Sequence, residues 1–90
     1  MTFPFEQNTT ESGKIIRTFH PNVDTEELKW HQDLKDRKVT IIEDGGWYFQ
    51  IDDGLPNKLC VAEQIFIPKF VWHRVIKGID KLVVEIEELD

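Results

Sequence analysis

The 90 residues carry 17 acidic and 11 basic side chains, a formal net charge of −6, with 40% apolar residues, three Trp and six Phe. That length fits one domain with a small core, and the composition is that of a packed globule. The negative charge, with no arginine-rich stretch interleaved with aromatics, argues against nucleic acid or an anionic membrane as partner, and no apolar run is long enough to span a bilayer.

The chain opens on "MTFPFEQNTTESG", which has no basic region followed by an apolar one, so a cytoplasmic location is expected. Residues 1–12 break the strand pattern of the rest. Phe3 and Phe5 flank Pro4 as their apolar anchors, and this arm is expected to lie over the domain or a partner subunit, or to fray. Residues 13–90 read as a single domain.

From there, period-two alternation in short runs divided by Gly, Pro, Asp and Asn predicts strands joined by turns. The runs are Lys14 to Phe19, Glu26 to Asp33, Arg37 to Ile42, Trp47 to Asp52, Lys58 to Val61, Gln64 to Ile67, Trp72 to Ile76 and Lys81 to Glu88. Asp44-Gly45-Gly46 predicts a tight hairpin before Trp47. Further turns fall at "DDGLPNK" and "KGIDK". Eight short strands in so few residues suit an all-β, nearly closed two-sheet barrel. The lone Cys60, between Leu59 and Val61, is expected to be a buried thiol in a reducing compartment.

Alternation also says which side chains can meet. Lys29, His31 and Asp33 share one face of their run, opposite Leu28, Trp30 and Gln32. Arg37 is in phase with Val39 and Ile41, and His73 with Val71 and Val75. If the valines and isoleucines point inward, Arg37 and His73 stand at the polar mouth of an apolar interior. His31 and Asp33 join them only if their run is paired alongside, which parity leaves open.

Two stretches then resemble the motifs of a small single-domain cupin. "WHQDLKDRKVTIIEDGGW" is similar to the first motif, a strand with His-x-His, a Glu four residues after the second His, then an apolar strand and a glycine turn. "AEQIFIPKFVWHRV" is similar to the second, Gly, a short apolar run, Pro and a later His, with Ala62 in place of the glycine. The likeness covers about residues 26–88 and implies a double-stranded β-helix, or small jelly-roll barrel. It also implies a divalent-metal site in which His31 matches the first ligand and His73 the last. Asp33 stands where the second His is expected and Arg37 where the Glu is expected.

Three readings of that set follow. His31, Asp33 and His73 have the composition of a two-histidine, one-carboxylate triad for Fe(II), Mn(II), Zn(II) or Ni(II), with open positions for a small acidic or polyhydroxylated molecule and for dioxygenase or isomerase chemistry. There Arg37 would neutralise developing negative charge. Alternatively Arg37, His31 and His73 form a metal-free sugar or organic-acid pocket of a non-catalytic binding module. In the third reading Arg37 and Asp33 are a structural ion pair. Tyr48 and Gln50 share a face and are candidates to orient a ligand, with Trp47, Phe49 and Ile51 expected in the core. Lys29, Arg74, His20 and the Glu85, Glu87, Glu88 set are expected to be solvated. The outward Trp30 and Trp72 suggest a face covered in a homodimer.

Overall fold

A computed structural model describes residues 4–24 and 28–89 of the chain. Eight strands run as β1 Phe5–Thr9, β2 Ile15–Phe19, β3 Asp36–Glu43, β4 Tyr48–Ile51, β5 Asn57–Lys58, β6 Gln64–Ile67, β7 His73–Ile76 and β8 Leu82–Leu89. One sheet has the order β1-β2-β8-β3-β6 and the other β5-β4-β7, with every pairing antiparallel. The described residues contain no helix, so none is long and apolar enough to cross a membrane. The fold is an all-β jelly-roll of two facing sheets, as the alternation implied.

The core follows the expected parity. Val39 and Ile41 of β3 and Leu82, Val84 and Ile86 of β8 are buried between the sheets, and Trp47, Phe49 and Leu59 close on them from the other side. Trp47 is fully buried, and its indole N–H donates to the Asp80 carbonyl. Two turns meet above it. The Gly45 carbonyl accepts from the N–H groups of Ile79 and Asp80 at 3.0 and 3.1 Å. A side chain on Gly78 would lie 2.3 Å from that carbonyl oxygen and 2.7 Å from Trp47, so only glycine lets the turns touch.

Four expectations need correction. The Asp44-Gly45-Gly46 turn forms, with both glycines at positive φ, but joins strands of different sheets and so makes no hairpin. The β3–β8 register shifts between Ile41 and Glu43, a bulge that bends β3 out of its sheet ahead of the turn. Residues 5–9, read as part of an arm, form an edge strand paired to β2. The Thr10–Lys14 turn makes the hairpin through Gly13 at positive φ, and Phe5 packs edge-on against Phe19 at 5.4 Å. Phe3 lies outside the described residues.

The run expected from Glu26 to Asp33 begins outside the described residues. Its described part is no strand, touching the sheet through one bridge, His31 to His73. The competing partners explain it: Phe70 N–H donates to the Asp33 carbonyl and the Gln32 amide donates to the Phe70 carbonyl, which wrap the segment around the 68–71 turn. Cys60, lastly, is exposed, because the turn after buried Leu59 carries it outward.

Candidate metal centre

The single bridge supplies the pairing that parity left open. His31 N–H donates to the His73 carbonyl and His73 N–H to the His31 carbonyl, each at 3.0 Å. Residues directly opposite in an antiparallel pair project to the same face. The two imidazoles therefore meet, their centroids 4.2 Å apart at 61°. Asp33, two residues on, is buried beside them, and β3 brings Arg37 to the other side of its carboxylate.

Both imidazoles are oriented by the backbone. His31 Nδ1 lies 3.1 Å from the Lys29 carbonyl and His73 Nδ1 2.9 Å from the Val71 carbonyl, so in each neutral ring Nδ1–H donates and Nε2 carries the lone pair. Those Nε2 atoms face Asp33, His73 at 3.1 Å from Oδ2 and His31 at 3.7 Å from Oδ1. Asp33 Oδ2 is buried without a hydrogen bond in that state. Three acceptors converging with no proton between them call for a cation, either a second proton on an imidazole or a metal ion. One ligand atom from each residue lies within 4.8 Å of the others. With bond lengths of about 2.1 Å, that spread closes on an ion by small side-chain rotations.

The electrostatics agree. Burial is the largest cause holding the His31 pKa below its ordinary value, aided by His73 and Arg37 and opposed by the Lys29 carbonyl and Asp33. Burial also opposes charge on Asp33, but the contact with His73, the charge of Arg37 and the electrostatic pull of the two imidazoles together outweigh it and hold its carboxyl below the usual range. A neutral imidazole and a carboxylate anion are the protonation states a metal ion requires.

This group lies at the wall of a cavity of about 390 Å³ between the two sheets. Apolar side chains from both sheets, Phe19, Phe49, Val84 and Ile86 among them, make most of its surface. Tyr48 and Gln50 do not reach it. Parity turns them away from buried Phe49: Tyr48 is exposed, and Gln50 spends its side chain on the Gly54 carbonyl and Arg74. Lys29 and Leu28 both border the cavity, because the segment is irregular and does not alternate as a strand would.

No protein-family model matches the sequence, and no curated protein does. Solved structures do match. A cupin domain from Bordetella pertussis Tohama I has a TM-score of 0.67 at 21% identity, over 100% of this chain and 99% of that one. The chain thus has the fold of a small cupin. The DMSP lyase DddQ from Ruegeria pomeroyi DSS-3 superposes with a TM-score of 0.79 at 13% identity over 97% of this chain, which spans 47% of DddQ. Fe(II)-HppE with the alternative substrate (S)-1-HPP gives 0.67 at 11% identity over 94%, and this chain spans 48% of it. The chain is thus about half the length of these two.

Two residues of the site go beyond those that the sequence motifs point to. Glu88 reaches Arg37, its Oε2 3.1 Å from Nη2. It was grouped with the solvated Glu85 and Glu87, although its number is in phase with buried Leu82, Val84 and Ile86. Arg17 borders the cavity from β2, in phase with Ile15 and Phe19, and is partly buried. Burial, with the charge of Arg37 next, lowers its pKa to about 10 against the opposing pull of Asp33 and Glu88, so it remains a cation at neutral pH.

Proposed function

We propose that this small cupin binds a divalent metal ion through His31, Asp33 and His73 and holds a small acidic molecule in the cavity beside it. The observation that carries this reading is the convergence of two Nε2 atoms, bare in the neutral rings, with Asp33 Oδ2 on the cavity wall. Fe(II), Mn(II), Zn(II) and Ni(II) all suit two imidazoles and a carboxylate. When bound, such an ion polarises an oxygen of the ligand, and a redox-active one opens dioxygen chemistry.

The chain's own part is orientation and exclusion of water. The Lys29 and Val71 carbonyls fix the imidazole tautomers. Arg37, held by Asp33 at 3.4 Å and Glu88 at 3.1 Å, positions the carboxylate and keeps it ionised. The apolar walls exclude water from the ligand. The Fe(II)-bound state of HppE lends support, as a neighbour in fold.

A metal-free binding pocket is the second reading, favoured by the cationic Arg17 and Arg37 on the same wall. Elemental analysis of the untagged chain, after Fe(II), Mn(II), Ni(II) and Zn(II) are each offered and excess removed, separates the two. About one equivalent of metal, lost in His31→Ala and Asp33→Asn, is expected. A metal-free chain under all four ions would sink the first reading. The same proposal includes a homodimer covering the half-exposed Trp30 and Trp72, checked by light scattering, and a reducing, cytoplasmic setting in keeping with the exposed free thiol of Cys60.

A further inference from the structure

We propose that Arg17 is the anion receptor of the cavity, its guanidinium taking the carboxylate of a small ligand whose hydrocarbon body lies against the apolar walls. The inference rests on the reading of this cavity as a ligand site, and it is independent of the metal.

Arg37, the arginine visible in the motif, is already committed. Its Nη1 lies 3.4 Å from Asp33 and its Nη2 3.1 Å from Glu88, one carboxylate on each side. Arg17 borders the same cavity and has no ion pair among the described residues. Its Nε and Nη2 both donate to the neutral Gln7 amide oxygen, at 3.0 and 2.6 Å, and its guanidinium carbon stands 3.9 Å from the centre of the Phe5 ring. These contacts orient the fork without neutralising it. Nη1 makes no hydrogen bond among the described residues.

A guanidinium taken partly out of water with no carboxylate in direct contact is costly, and a carboxylate arriving opposite it recovers that cost through charge-assisted hydrogen bonds. Because Gln7 and Phe5 have already fixed the fork, little orientational freedom is lost when the anion binds. The surroundings add to the selection. Lys29, Arg17 and Arg37 border the cavity against the single carboxylate of Asp33, with Glu88 reaching Arg37. This concentrates positive charge on a chain whose net charge is −6. The predominantly apolar wall favours a carboxylate with a hydrocarbon body over a bare phosphate ion.

The test uses hexanoate, its uncharged counterpart hexanamide, and inorganic phosphate, titrated calorimetrically into the full chain in EDTA. Hexanoate is expected to bind at least tenfold tighter than hexanamide, with phosphate weaker than hexanoate. In Arg17→Met that preference should vanish, hexanoate falling to the level of hexanamide, and Arg17→Lys should restore part of it. A role confined to stacking on Phe5 and holding β1 would leave the carboxylate-over-amide ratio where it was.

Equal binding of hexanoate and hexanamide by the unmodified chain, no binding of either, or a preference retained in Arg17→Met would each overturn the proposal, as would phosphate binding tighter than hexanoate. The wild-type ratio decides even if the variants do not fold. Since EDTA is present, a positive result here with no metal in the elemental analysis removes the metal reading alone, and the converse pattern removes Arg17 alone.

Discussion

The two ends of the barrel solve opposite problems. At one end Gly45 and Gly78 let two turns touch backbone to backbone over Trp47, the indole N–H is paired and Trp47 is wholly buried. At the other end Arg37 Nε is buried without a hydrogen bond, Asp33 Oδ2 faces the Nε2 of His73 at 3.1 Å with no proton between them while that ring is neutral, and a cavity of about 390 Å³ lies beside them. A closed end built for stability leaves no such atoms. An end that leaves them unpartnered is shaped for something that arrives later, at a cost in stability that the closed end offsets.

The comparison breaks most sharply at Gly78. A methyl group there meets the Gly45 carbonyl oxygen at 2.3 Å and the Gly46 carbonyl carbon at 2.6 Å, backbone atoms that cannot rotate away. Gly78→Ala is expected to cost about 3 kcal/mol, a fall in Tm of more than about 10 °C. Thermal unfolding by circular dichroism checks it, and a shift of a degree or two would show the turns are not pressed together.

Arg37→Met acts at the open end and should give two opposite readouts. Removing the guanidinium leaves the Asp33 carboxylate buried without its counter-charge, so the metal-free chain should lose about 2–3 kcal/mol. The same change removes a cation that competes with a metal ion for Asp33, so Zn(II) affinity should rise. Stability in EDTA and zinc titration against a fluorescent chelator read the two effects. A fall in both would show that holding Asp33 in place outweighs competing with the ion for it.

How much of this was legible follows from which signal each feature leaves. β3, β6, β7 and β8 alternate clearly, and Arg37 and His73 were placed at the mouth by phase with Val39 and Val75 alone. Arg17 and Glu88 left the same phase signal on β2 and β8, but a charged residue in a short strand also reads as solvated, and nothing in the sequence says where an interior opens. The meeting of His31 with His73 left no local signal. It depends on one bridge and on Phe70 and Gln32 bonding around a turn, contacts between residues 37 or more positions apart. β1 is nearly apolar-free and gains its order from pairing with β2.

Acid should separate the ends next. The Asp33 carboxyl is held below its unfolded value, so its stabilisation is present above about pH 4 and lost as pH falls through the lower folded value. His31 is also held below its unfolded value. Its neutral form is the favoured one, and stability is full above about pH 6.5 and declines as pH falls toward the folded value. Both steps run the same way in the metal-free chain. The upper one is small, because His31 is half exposed, and His31→Gln should remove it while Asp33→Asn removes the lower. Urea midpoints between pH 3 and 8 measure both, and stability rising on acidification would contradict the assignment.

The smallest effect lies at Ala62, where the cupin motif carries glycine. The backbone there has φ +72°, a region that penalises an L side chain, and the Ala62 N–H holds the turn to β3 by donating to the Ile41 carbonyl at 2.8 Å. The turn thus keeps a glycine conformation with alanine in it. Ala62→Gly removes the Cβ penalty and adds some freedom to the unfolded chain, for a net gain of about 0.5–1 kcal/mol. Because the turn touches none of His31, Asp33, His73 or Arg17, the gain should leave metal and hexanoate binding unchanged, which calorimetry on the variant checks directly. A gain in stability with binding preserved would place this strain in the fold, whereas lost binding would tie the turn to the site through Ile41 and β3.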